Sequence, residues 1–169
     1  MAFPNHLKVY NGPAPTTAAQ ASVATGTSIK TMLQLKSTKG MLITGWGYTL
    51  DTEQAAAGTV ELLETDVAAT VTAFATADLV SLNTPSAASG WTKGTSASGY
   101  TGSAEGSITA TQVYDAKKLG VSTTYGTDMD YVRQFNQYDR PYLAAGKILR
   151  VRITAGTSAG MICWISWAE

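Results

Sequence analysis

The sequence predicts one all-β domain, an antiparallel two-sheet β-sandwich of jelly-roll type with an extended N-terminal arm. Short runs of residues alternate between apolar and polar, as strands with one buried face do. Turn-forming residues separate these runs, and helical periodicity is nearly absent. The length of 169 residues fits a single domain, and a chain of about this size buries about 70% of its unfolded surface without disulfide or metal crosslinks.

The first 28 residues predict the extended arm, and residues 29–169 predict the sandwich. Three prolines fall in this segment, and proline interrupts both helices and central strands. Phe3, Leu7 and Tyr10 are bulky anchors that a partner surface would order. A terminus without a role is the alternative.

Two strands are expected next, one from residue 29 and one from residue 41, with a turn at residues 39–40 between them. Gly45 and Gly47 in the second run predict a bulge, or a close backbone approach over the ring of Trp46. The run TVELLETD predicts a further strand. Glu61 and Glu64 favour an edge position for that strand, because edge strands tolerate charge on both faces.

Residues 67–82 combine an approximate helical stripe with many β-branched residues, and we favour a strand followed by a turn. Residues 83–106 predict a long loop rich in Ser, Gly and Ala. Its bulky members Trp91 and Tyr100 are candidate loop contacts, because long loops in compact domains are commonly functional.

The closing runs ILRVRIT and MICWISW predict a pair of strands joined by the turn AGTSAG. The last run is apolar on both faces, which indicates a strand covered from two sides. A neighbouring subunit is one candidate cover. The arginines on one face of the preceding strand suit either nucleic acid or a protein interface, and we favour the interface because clustered lysines and stacked aromatics are missing. The predicted subunit interface comprises Arg150, Arg152, Ile162, Trp164 and Trp167.

The sequence offers few groups for catalysis or metal binding. His6 and Cys163 are the sole histidine and the sole cysteine, so one chain assembles neither a Ser-His-Asp triad nor a thiolate metal cage. Acidic pairs at 51 and 53, 61 and 64, and 128 and 130 are more simply explained by solvated loops and strand edges than by glycoside hydrolysis or calcium binding. We therefore expect no enzyme activity, no cofactor, no metal and no small-molecule substrate.

Charge points to assembly with other proteins. The chain has 12 basic and 12 acidic residues, and only 14% of its residues are charged, against about 25% in ordinary globular proteins. No long-range field attracts nucleic acid or a membrane, and neither a signal peptide nor a membrane helix is expected. A surface rich in Thr, Ser and Ala suits close protein contacts with little loss of side-chain entropy.

Four segments of the chain, in this order, are KGMLITGWGYTLD, GTVELLETDV, GYTGSAEGSITATQVYD and RPYLAAGKILRVRITA. Their order is similar to that seen in small virion proteins of tailed phages, and the chain resembles the capsid decoration, or cement, proteins of these phages. The resemblance covers about residues 30–169 and is most specific over residues 141–153. It implies a β-sandwich made in the host cytoplasm that assembles, commonly as a homotrimer, on the capsid exterior and bridges neighbouring capsomers.

Under this resemblance the partners are the major capsid protein and further copies of the chain. The expected capsid contacts lie in the arm, at Phe3, His6, Leu7 and Tyr10. The alternative is a receptor-binding or carbohydrate-binding module of a phage tail or fibre, in which Trp91 would stack on a sugar.

Overall fold

The protein is described by a computed structural model covering residues 5–82, 97–121 and 129–169. The described residues form two antiparallel sheets and one 3-10 turn, Thr76–Asp78. The strands are β1 (His6–Tyr10), β2 (Val23–Ala24), β3 (Lys30–Lys36), β4 (Met41–Leu50), β5 (Gly58–Thr65), β6 (Thr70–Ala73), β7 (Val80–Ser81), β8 (Gly99–Ala104), β9 (Thr111–Leu119), β10 (Asp130–Gln134), β11 (Tyr142–Leu143), β12 (Ile148–Thr154) and β13 (Gly160–Ala168).

One sheet has seven strands, in the order β10-β4-β13-β1-β7, with β11 also paired to β4 and β2 to β13. The other has six, in the order β6-β8-β3-β12-β5-β9. The apolar core lies between the sheets, where Trp46, Tyr48 and Trp167 are its largest aromatic side chains. The predicted all-β sandwich is thereby confirmed, and jelly-roll connectivity stays a prediction.

The predicted arm is wrong for its first described residues, because β1 is an interior strand of the seven-stranded sheet. It pairs with β13 on one side and β7 on the other. Leu7 and Val9 are fully buried in the core. The alternation in HLKVY places Leu7 and Val9 inward, and Pro13 and Pro15 lie beyond the strand. The chain then leaves the sheet, and Pro15 to Ala19 are exposed.

The glycine-containing strand β4 has the predicted bulge. Its register against β13 shifts between Ser166 and Trp167, so that Ser166 lies opposite Gly45 and Trp167 opposite Ile43. The residue between them, Thr44, is the extra one. Met41 and Ile43 therefore face the core on one side of the bulge, and Trp46, Tyr48 and Leu50 face it on the other.

Three other sequence predictions need correction. The closing runs are both strands, but β12 lies in the six-stranded sheet and β13 in the seven-stranded sheet, so residues 155–159 connect the sheets instead of forming a hairpin. Strand β5 is interior, between β12 and β9. The predicted 83–106 loop contains strand β8, whereas residues 83–96 lie outside the described part. The strand-plus-turn prediction for residues 67–82 is confirmed by β6, the 3-10 turn and β7.

Candidate docking surface

The side of the seven-stranded sheet that faces away from the core, here called the outer face, carries a continuous apolar row. Val132 on β10 is opposite Gly47 on β4, Gly47 is opposite Trp164 on β13, and Trp164 is opposite Tyr10 on β1. Because paired residues project to the same side of a sheet, the four positions form a line across four strands. Val132 is 60% exposed, whereas Trp164 and Tyr10 are half-buried.

The two glycines of β4 make room for side chains on this face. A Cβ atom at Gly47 would lie 3.0 Å from ring atoms Cε2 and Cζ2 of Trp164, and one at Gly45 would lie 2.5 Å from Oε1 of Gln134. Trp164 and Gln134 therefore lie directly on the backbone of β4. The close approach predicted from these glycines is present, but the ring involved is Trp164, not Trp46.

Lys8 places a positive charge beside the aromatic rings. Its Nζ lies 4.1 Å from the ring centroid of Trp164 and 4.7 Å from that of Tyr10. Cation–π contacts of this kind contribute about 0.5–1 kcal/mol at exposed sites. Both contacts hold the ammonium group on the outer face, one residue along β1 from the buried Leu7.

Further exposed apolar side chains lie on the outer face beyond the row. Val80 is opposite Lys8, and Tyr142 is opposite Leu42; all three apolar residues are exposed, as is Leu82 just beyond β7. Soluble monomers rarely expose contiguous apolar patches of several hundred Å² unless the patch has a function. The outer face has the composition of a protein-binding surface.

A depression of about 390 Å³ lies in the outer face beside Trp164. His6, Lys8 and Arg140 line it together with the polar side chains of Thr44, Gln134 and Ser166, and with Leu82, Phe135 and Trp164. No aspartate or glutamate is among these lining residues. The depression is therefore a locally basic place in a chain whose net charge is zero.

The structure brings together four of the residues that the sequence assigned to two different partners. The predicted capsid contacts His6 and Tyr10 lie on strand β1. The predicted subunit contacts Ile162 and Trp164 lie on strand β13. All four side chains are half-buried. These two strands are hydrogen-bonded neighbours, with Tyr10 opposite Trp164. One continuous surface therefore contains His6 and Tyr10 together with Ile162 and Trp164.

Leu7 and Trp167 do not belong to any surface, and their prediction as contacts is wrong. Both are 0% exposed. They are opposite one another in the pairing of β1 with β13 and face the core. In MICWISW the odd-numbered residues face inward, so Trp164 is available on the outer face while Trp167 is not.

Arg150, predicted at a subunit interface, is also buried within its own chain. Its Nη1 lies 3.0 Å from Oε2 of Glu105 and donates to Thr31 Oγ1 at 3.3 Å, while Nη2 donates to the carbonyl of Val67. Burial lowers the pKa of the guanidinium, and the carboxylate of Glu105 opposes that shift. The loop at Val67 and the end of β8 cover a position that strand alternation alone places on the surface.

Arg152 and the acidic residues of β5 are likewise paired within the chain. Arg152 Nη2 lies 3.0 Å from Glu61 Oε2 on the neighbouring strand. Glu64 accepts a hydrogen bond of 2.7 Å from the hydroxyl of Tyr114 and lies 3.4 Å from Lys147 Nζ. Burial and the bond to Glu64 raise the pKa of Tyr114. Arg152 is thus ion-paired within the chain while its side chain is 16% exposed, and its role as a subunit contact stays a prediction.

The remaining predicted contacts divide between the described and the undescribed parts. Phe3 and Trp91 lie outside the described residues. Tyr100 is a residue of β8, not of a loop. The centroid of its ring lies 5.4 Å from that of Phe74, and burial raises the pKa of Tyr100.

The sequence analysis did not identify Lys8, Val132 and Gln134 as residues of the docking surface. The alternation of HLKVY was the available signal for Lys8, whereas Val132 and Gln134 are placed on the outer face only by pairing with β4.

Comparison with known proteins gives no relative: no protein-family model, curated protein or solved structure matches the chain.

Across residues 5–82, 97–121 and 129–169, no group of three or more His, Cys, Asp and Glu side chains is arranged to hold a metal ion. The same residues include no helix with the length and apolarity needed to cross a bilayer. Burial raises the pKa of the Cys163 thiol well above its usual value, which disfavours the thiolate.

Proposed function

We propose that this protein is a structural virion protein that decorates and stabilises the outer surface of a phage capsid, with the outer face as its docking surface for the major capsid protein. The observation that supports docking is the row from Val132 through Trp164 to Tyr10, with its exposed apolar flanks. The phage capsid as partner follows from the family resemblance in the sequence. Aromatic residues concentrated within an apolar patch are typical of the parts of interfaces that contribute most to affinity.

The size of the outer face supports binding through several copies at once. Five neighbouring strands at a spacing of about 4.8 Å span about 19 Å, and the six residue steps from Ile162 to Ala168 span about 20 Å. The resulting area of about 400 Å² is half of the roughly 800 Å² that each partner contributes to a standard stable interface. We therefore propose that the protein acts as a homo-oligomer, a trimer under the resemblance, in which weak single contacts combine into high avidity.

The proposal is tested by co-sedimentation with expanded, undecorated capsids of the phage that encodes the protein. Wild type is expected to sediment with the shells and to raise their resistance to heat. Val132→Asp places a charge in the apolar row and is expected to reduce binding at least about tenfold, since an unpaired charge in an interface costs more than about 1.4 kcal/mol.

The matched control is Val113→Asp, because Val113 is a similarly exposed valine on the edge strand of the other sheet. This variant is expected to bind shells as the wild type does. Absence of wild-type binding would refute the capsid role, and equal binding by both variants would refute the outer face as the docking surface. Light scattering of the free protein measures the proposed oligomer.

A second candidate function, carbohydrate binding within a phage tail or fibre, is favoured by the accessible aromatic rings of Tyr10 and Trp164. The position of Lys8 argues against it, because the ammonium group lies over the ring of Trp164, where a sugar would stack. A glycan array distinguishes the two functions. Glycan binding that disappears in Trp164→Ala, together with no binding to shells, would favour the second.

A further inference from the structure

We propose that the depression beside Trp164 receives a carboxylate side chain, Asp or Glu, from the partner protein, and that Lys8 and Arg140 are the cationic groups that hold it. This inference rests on the proposed function, because it assigns the chemistry of the same docking surface. The proposed carboxylate site is the polar centre of the outer face. The apolar row provides the contact area around that site.

Arg140 differs from the three other arginines of the chain. Arg133, Arg150 and Arg152 each have a carboxylate within 4.0 Å. Arg140 has none among the described residues, and its Nε is buried without a hydrogen-bond partner there. A partly desolvated cation without an anion loses hydration without gaining a charge partner. A carboxylate delivered by another protein would supply that partner.

Lys8 supplies a second cation at the same depression. Its contacts are with the faces of two aromatic rings, and it makes no ion pair within the described part of the chain. Cation–π contacts leave the N–H groups that point away from the rings free to donate. Lys8 and Arg140 both line the depression, and ammonium and guanidinium groups both donate charge-assisted hydrogen bonds to carboxylate oxygens.

No carboxylate is among the residues that line this depression. On β10, Asp130 is four residues from Gln134, which lines the depression; four residues of a strand span about 14 Å, which exceeds the Debye length of about 8–10 Å in physiological salt. Asp139 is next to Arg140 in sequence, and its carboxylate accepts a hydrogen bond from Asn136 and keeps its charge. Glu169 follows Ala168, which is opposite His6. The lining of the depression itself contains cationic side chains and no carboxylate.

The surroundings favour a protein carboxylate over a phosphate or an acidic glycan. Trp164, Phe135 and Leu82 make part of the lining apolar, which fits an acidic side chain carried among apolar neighbours on a protein surface. Lys8 also covers the aromatic face that sugar stacking requires.

The first experiment measures the site without the shell. Poly-L-glutamate is titrated into the 15N-labelled protein at low ionic strength, because salt screens such contacts. We expect shifts at the backbone amides of Lys8 and Gln134 and at the indole N–H of Trp164. The double variant Lys8→Gln/Arg140→Gln is expected to lose these shifts. Lys118→Gln, which removes an exposed lysine from the six-stranded sheet, is expected to keep them.

Inorganic phosphate and heparin are titrated in parallel. Stronger shifts at the same amides with phosphate or heparin than with poly-L-glutamate would overturn the assignment in favour of a phosphate or a sulfated glycan. The assignment would also be overturned if poly-L-glutamate gave no shift at these positions up to its solubility limit, or if it shifted the double variant equally.

The second experiment separates this inference from the proposed function. In co-sedimentation with capsids, Lys8→Gln and Arg140→Gln are each expected to weaken binding about tenfold or more. If shells bind both variants as tightly as wild type, the carboxylate contact is wrong and the docking surface stands. If shells do not bind wild type while poly-L-glutamate does, the capsid role is wrong and the carboxylate site stands. Circular dichroism of each variant checks that the fold is retained.

Discussion

Asp115 on β9 accepts a hydrogen bond of 3.0 Å from the indole Nε1 of Trp46 on β4, so a carboxylate of one sheet holds the largest core side chain of the other. The hydroxyl of Tyr131 on β10 donates to the same oxygen at 2.9 Å. Burial, followed by this bond, raises the pKa of Tyr131. The edge strands β9 and β10 are therefore joined across one side of the sandwich.

Replacing Asp115 with alanine is expected to lower the free energy of unfolding by about 1–3 kcal/mol, because the buried N–H of Trp46 loses its acceptor. Asp115→Asn retains an amide oxygen and is expected to lose less. Urea denaturation measures both. Equal stability of Asp115→Ala and wild type would show that the contact between the sheets contributes nothing net.

Gly47→Ala is expected to destabilise the protein by about 1–3 kcal/mol. The added Cβ would lie 2.6 Å from the carbonyl oxygen of Tyr131 and 3.0 Å from the ring of Trp164, and the backbone atom has little room to move. Gly120→Ala is the matched control, since a Cβ there has no atom within 4 Å. Thermal unfolding of the two variants tests the expectation, which fails if both variants melt together.

Arg150→Met is expected to cost about 3–5 kcal/mol, because it leaves the carboxylate of Glu105 and the carbonyl of Val67 without the guanidinium. Arg152→Met, two residues along the same strand face, is the control. Its pair with Glu61 is more exposed, with Arg152 at 16% against 0% for Arg150, and exposed pairs contribute about 0–1 kcal/mol. A larger loss for Arg152→Met in chemical denaturation would contradict this order.

Leu7→Ala is expected to destabilise the sandwich by about 2–5 kcal/mol, since it opens a cavity between β1 and the core. Lys8→Gln changes the neighbouring residue on the opposite face and is expected to cost no more than about 2 kcal/mol, the sum of its two cation–π contacts at about 0.5–1 kcal/mol each. Guanidinium unfolding of the two variants compares the two faces of β1. Similar losses would mean that β1 is not seated as described.

Asp66 is expected to link folding to acid pH. Its carboxylate accepts hydrogen bonds from the Thr109 hydroxyl and from the amides of Ala110 and Thr109, which lower its pKa from 3.8 to about 2. Because the folded-state pKa is the lower one, the contribution to stability is complete above about pH 4 and is lost between about pH 4 and pH 2.

Asp66→Asn should therefore be less stable than wild type at pH 7, with a difference that shrinks as the pH falls through this window. Melting temperatures measured across the pH range test it, with Asp130→Asn as the control for removal of an exposed carboxylate. A difference independent of pH would rule out the linkage.

The sequence predicted well where the strands lie along the chain, but it predicted poorly which strands pair with one another. Alternation correctly put Met161, Cys163, Ile165 and Trp167 on one face of β13, but both faces are apolar, so only the structure shows which one is the core. Strand alternation places the side chain of Arg150 on the surface of the sheet. That side chain is buried because segments distant in sequence fold over it. Neither the pairing of strands distant in sequence nor the loops that cover a sheet produce a periodic pattern in the sequence. They could not be predicted from it for that reason.

The pairing of β1 with β13 also constrains the order of events during synthesis. Strand β13 lies between β1 and β4 in the seven-stranded sheet, yet it is translated after every other strand of the described residues. Until then the nascent chain has no partner for the inner edge of β4 or for the β13 side of β1. Such non-local pairing slows folding and leaves strand edges exposed. We expect this sheet to close only after translation of β13, so that chaperone protection during elongation would raise the yield of folded protein.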